Sequence, residues 1–150
     1  MKKLALVLGL TSCTSLATQP PLESSPVKQC QWGKMEAGVH VVRSEADWSK
    51  LAGNATHGFA TLDWRRDNLL VFNAGQRPTP GYLLKLMRVE GSERAARWQL
   101  VVDETPPPAD AMLPQVISWP CLILRASQRA PDELEVVDSR GKALARLRQR

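Results

Sequence analysis

Asn68-Leu69-Leu70-Val71-Phe72-Asn73 is followed without a break by Ala74-Gly75-Gln76-Arg77-Pro78-Thr79-Pro80-Gly81-Tyr82. The first half carries four large apolar residues in a row, the pattern of a strand covered on both faces. The second half has two glycines and two prolines within 74–81, too many breakers for helix or strand. A central strand running into an irregular loop is expected. Gly75 and Gly81 allow positive φ, Pro78 and Pro80 stiffen the crossing, and Tyr82 enters the core with its hydroxyl at the rim. Two roles stay open for this loop. It is a structural crossing, or it is a rigid polar tip presenting Gln76, Arg77, Thr79 and Tyr82 to a partner. Under either, Arg77→Ala or Gln76→Ala is expected to leave folding intact.

Outward from this stretch the chain reads as short β-rich runs. Val39 to Val42 is β-branched, and Ser44 stands three residues before Asp47, a weak capping box. A short helix follows, with Trp48, Leu51 and Ala52 on one face and Gly53-Asn54 as its stop. Tyr82 to Val89 and Arg97 to Val102 alternate in period 2, with Trp98, Leu100 and Val102 set against Arg97, Gln99 and Val101. They are expected to form a meander through Glu90-Gly91-Ser92-Glu93. Thr105-Pro106-Pro107-Pro108 must run extended. An aromatic residue before Pro120 raises the chance of a cis bond at Trp119. Cys121 to Ala126 is another apolar strand, and Leu134 to Val137 is joined to Ala143 to Leu147 by Asp138-Ser139-Arg140-Gly141 as a last hairpin. The fold class expected is α+β: a predominantly antiparallel sheet of about six to seven short strands with one short N-terminal helix.

The amino terminus indicates location. Met1-Lys2-Lys3 is a short positive start, Leu4 to Leu10 is an apolar run of seven residues, and Leu10-Thr11-Ser12-Cys13 places small residues before a cysteine. The run is far short of the roughly 20 residues of a spanning helix. The tetrapeptide resembles the lipobox of bacterial lipoproteins, which implies cleavage after residue 12 and acylation of Cys13. Ordinary secretion with cleavage after Ala17 is the alternative. The resulting map is a lipoprotein signal over 1–12, a flexible tether of Thr, Ser, Pro, Gln and Glu over 13–28, and one domain over 29–150. The lipid bilayer is then a partner through Cys13. The location is the cell envelope, facing the periplasm or exterior, at the outer membrane where the host has one. Lipidation of Cys13 would leave Cys30 and Cys121 as an even pair in an oxidising compartment, and a disulfide closing a 91-residue loop is expected. Two free thiols, with Cys121 a small buried hydrophobe, is the competing reading.

The net charge of +5 falls to +3 when Lys2 and Lys3 are removed, too little to indicate nucleic acid. Much of it lies in Arg140, Lys142, Arg146, Arg148 and Arg150, suited either to anionic headgroups or to a charged edge strand. No catalytic signature follows. His40 and His57 stand in neither an HExxH nor a CxxC context, and no metal or cofactor is expected. Gly-x-Ser-x-Gly, Gly-x-x-x-x-Gly-Lys and Gly-x-Gly-x-x-Gly are all missing from the sequence. The adjacent carboxylates Asp103-Glu104 and Asp132-Glu133 read as solvated loop charges rather than an acid and base pair.

The order of a strand, Gly75-Gln76-Arg77-Pro78-Thr79 and Gly81-Tyr82, an alternating strand, a proline-rich segment and an apolar strand opening on a proline resembles the PrcB C-terminal domain family. The resemblance covers roughly Val39 to Leu147. It departs from the family pattern at Pro80, Trp119 and Cys121. It implies a small envelope lipoprotein or secreted protein that helps to assemble or stabilise a surface protease complex. The expected function is therefore a membrane-anchored, non-catalytic accessory subunit for an envelope partner such as a protease. The alternative is a structural envelope protein or small-ligand carrier without a protease partner.

Overall fold

A computed structural model describes residues 20–30, 35–92, 94–127 and 129–149. The signal segment 1–12, Cys13, the tether up to residue 19 and Arg150 lie outside the described residues. Eight strands and one helix follow in the order β1 Leu22–Ser24, β2 Gly38–Val42, α1 Glu45–Ala52, β3 Asn68–Asn73, β4 Leu83–Glu90, β5 Arg97–Thr105, β6 Cys121–Ala126, β7 Glu133–Val137 and β8 Ala143–Arg148. They form two four-stranded sheets, β1-β6-β3-β2 and β4-β5-β7-β8. The α+β class holds, but the six or seven strands expected become eight in two sheets. One of the additional strands comes from the stretch read as tether. Leu22, Glu23 and Ser24 pair antiparallel with Ala126, Arg125 and Leu124, so the chain is fixed from residue 22 rather than from residue 29.

β3 and β6 are apolar on both faces because each face meets a separate core. Between the sheets, Leu70, Phe72, Leu122 and Leu124 pack with Leu84, Val89, Trp98, Leu100, Leu134 and Val136. On the outer face of the first sheet, Leu69, Val71 and Ile123 pack under Trp48 and Ala52 of α1. Burial of each such large side chain contributes about 1.5–3 kcal/mol. The helix is held as its sequence implies: the Ser44 hydroxyl accepts from the Asp47 N–H at 3.1 Å, and Gly53 closes it at φ 60°. Cys30 and Cys121 are joined in a disulfide across a separation of 91 residues, which fastens the entering chain to the start of β6.

The second sheet departs from simple alternation in two places. The β4–β5 register shifts between Leu86 and Arg88, and this bulge at Met87 turns Val89 into the core in place of Arg88. β5 and β7 pair in parallel, not antiparallel. The cause is topological: after Thr105 the chain crosses to the first sheet as β6 and returns to run beside β5 in the same direction. Val101, expected opposite the core face, is buried as well. The peptide bond before Pro120 is trans, since no cis bond occurs among the described residues.

The terminal cations sit mainly on the outer face of this sheet. Arg146 pairs with Glu135, and Arg148 with Glu133 at 2.7 Å, while Arg97 reaches Glu135 at 3.0 Å. β8 is an edge strand whose arginines are neutralised by β7, which leaves only Arg140 and Lys142 of the described terminal cations without an ion pair.

Candidate functional site

The loop over 74–81 is built around one guanidinium. Arg77 donates from Nε to Glu104 Oε1 and from its second terminal nitrogen to Glu104 Oε2, each at 2.7 Å, in a fork that only arginine makes. The remaining terminal nitrogen donates to the carbonyls of Ala74 at 3.0 Å and Gln76 at 2.9 Å. The Tyr82 ring lies below, with its centroid 5.8 Å from the guanidinium carbon. Arg77 is held further above the ordinary arginine value, first by the hydrogen bond to Glu104 and against the opposing effect of burial. Its backbone exchanges two hydrogen bonds with Ser118, at 2.8 and 2.9 Å, and the Ser118 hydroxyl donates to the Thr79 carbonyl at 2.7 Å.

These contacts correct two expectations. Glu104 is not a solvated loop charge: it stands on β5 and is half-buried against Arg77. Arg77→Ala, expected to leave folding intact, would leave that carboxylate and two carbonyls without their donor. Of the four residues considered as a recognition tip, Arg77, Thr79 and Tyr82 are taken up by the loop itself, and Gln76 alone is exposed. Beside the pair lies a hollow of about 350 Å³ lined by Asn73, Ala74, Arg77, Glu104, Leu144 and Arg146. Its cations are already matched, Arg77 by Glu104 and Arg146 by Glu135, so it offers no unneutralised charge to an ion.

The second loop at the same end joins β5 to β6 over 106–120. Pro107 and Leu113 close over Gly81, where a Cβ would stand 2.9 Å from Pro107 Cβ and where φ is 98°. The loop is pinned again where Ser118 meets Arg77 and where the Ala74 N–H donates to the Pro120 carbonyl at 3.1 Å. Between these pins it turns outward: Met112 is fully exposed, Val116 is 57% exposed and Ile117 49%. These three residues carried no signal in the sequence beyond being apolar.

The other candidates are structural. The ring Nε2 of His40 lies 3.1 Å from the Glu36 carbonyl. His57 sits among Trp48, Phe59 and Trp64, with ring centroids 5.6–6.3 Å away, and its Nδ1 accepts from the Phe59 N–H. Asp132 pairs with Arg129, while Glu133, expected as a solvated loop charge, opens β7, is half-buried and pairs with Arg148. Among the described residues no group of three or more His, Cys, Asp or Glu is gathered where a metal would be held. No helix among them is long and apolar enough to cross a membrane.

Residues 69–127 match the family model described as PrcB C-terminal. The chain is PrcB-like over this segment, which runs from β3 to the end of β6 and contains both loops just described. No curated protein and no solved structure matches the chain.

Proposed function

We propose that this protein is a membrane-anchored, non-catalytic accessory subunit of an envelope complex that includes a protease. The PrcB C-terminal match over residues 69–127 carries the reading, because that family points to subunits associated with protease complexes. The folded domain is consistent with a scaffold: its histidines and paired carboxylates serve local packing and ion pairs. Acylation of Cys13 supplies the anchor, and the cysteine bridge suits an oxidising envelope. The test is purification of a tagged full-length chain from membranes in mild detergent. A protease subunit recovered in stoichiometric amount is the expected result; its consistent absence, with a lipid or glycan bound instead, overturns the proposal.

A further inference from the structure

β2 stands at the end of the first sheet and β8 at the end of the second, and the two edges approach along one cleft. It holds about 450 Å³ and is lined by residues 39–43 in succession, by Asp47, Lys50 and Leu51 of α1, and by Leu147 and Gln149 from the β8 side. Val41, Leu51 and Leu147 are half-buried there, so three elements contribute to one apolar lining. β2 is bonded on one side only. Its ladder runs to β3, and among the described residues no other backbone hydrogen bond reaches 39–42 or joins β2 to β8. In an antiparallel ladder alternate residues turn their N–H and C=O away from the partner strand, so this edge carries open donors and acceptors along the cleft. The charges there are open as well. Arg43, held by the Gln149 side-chain amide, Lys50 and Asp47 make no ion pair among the described residues, which leaves the cleft one positive charge in excess. The hollow beside Arg77 differs on this point, since its cations are matched.

We propose that this cleft binds an extended peptide segment of another protein. The segment adds to the open edge of β2 as a strand, sets apolar side chains against Val41, Leu51 and Leu147, and places a carboxylate at Arg43 and Lys50. The open edge selects the occupant. A lipid or other apolar ligand would exclude water from the backbone groups of β2 without replacing their hydrogen bonds, whereas a peptide backbone supplies both donors and acceptors. Charge selects against a second copy. The chain's other long open edges are basic: β8 carries Arg146 and Arg148 and no acid, and β4 carries Lys85 and Arg88 against Glu90. The short edge β1 has Glu23, which is already paired with Arg125. The cleft gives the accessory-subunit reading a grip on its partner, but the proposal does not depend on that reading.

A random peptide library displayed on phage is panned against the purified full-length chain, and the enriched peptides are synthesised. They should alternate apolar and polar residues and include Asp or Glu. Methylating their backbone nitrogens one at a time should weaken binding at alternate positions only, and amide hydrogen exchange at residues 39–42 should slow when they are bound. Arg43→Glu with Lys50→Glu should lower affinity roughly tenfold or more with an unchanged Tm. Lys142→Glu, outside the cleft, should leave it unchanged. No enriched peptide, affinity undiminished by the Arg43 and Lys50 changes, or a methylation pattern without alternation each overturn the proposal. Protection of 39–42 by anionic phospholipid vesicles, or by raising the chain's own concentration, in place of the peptide overturns it too. None of these outcomes bears on co-purification of a protease subunit, which tests the accessory-subunit reading by itself.

Discussion

At Arg77, four of the five guanidinium N–H groups have acceptors, two on one carboxylate and two on the loop's own carbonyls. The pair is about a quarter exposed, with side-chain values of 26% and 28%, so solvent screens it only in part. Arg77→Ala should cost about 1.5–3 kcal/mol, the range for hydrogen bonds to charged groups, and Arg77→Lys should recover little because an ammonium cannot fork. Urea unfolding of both variants, with Glu104→Ala and the double change, measures this; additive effects of Arg77→Ala and Glu104→Ala would show that the two do not act together. Glu135 makes a second prediction. Its hydrogen bonds from Arg146, then Gln99, then Arg97 hold its carboxyl down at about 2, below the ordinary 4.5. A depressed carboxylate stabilises the fold fully above the unfolded value and loses that contribution as pH falls from about 4.5 towards 2. Stability measured in steps over this range should fall less steeply for Glu135→Gln than for the unaltered chain. Neither pair was legible in the sequence. Arg77 and Glu104 are 27 residues apart, and only the return of β5 beside the loop reveals that a charge beside a proline-rich segment is a half-buried partner.

Elements were more legible than their partners. The strands at 68–73, 83–90, 97–105 and 121–126 and the helix at 45–52 follow from apolar period and capping, signals carried within a few residues. Three features escaped because they depend on residues far away. Leu22–Ser24 became a strand because β6 had a free edge to cover, the Met87 bulge came from fitting β4 to β5, and the parallel β5–β7 pair came from the crossover through β6. The cysteine pair was legible through its even number once Cys13 was set aside, and the structure places the bridge at the start of β6. Reduction, or Cys30→Ser with Cys121→Ser, should lower stability by about 2–5 kcal/mol. Unfolding in urea with and without reductant checks this, and equal midpoints in the two conditions would show that the bridge contributes nothing.

Over the whole molecule, the described chain enters the first sheet beside Ala126, at the end of β6 opposite the disulfide at Cys121. If Cys13 carries three acyl chains, each buried methylene adds about 0.8 kcal/mol and the attachment is effectively permanent. Cys13→Ala should then shift the protein from the membrane fraction to the soluble one without altering the Tm of the folded domain, whose first described strand pairing begins at Leu22. Mass spectrometry of the mature amino terminus should show a triacylated cysteine. A mature chain starting at Thr18 would instead establish simple secretion.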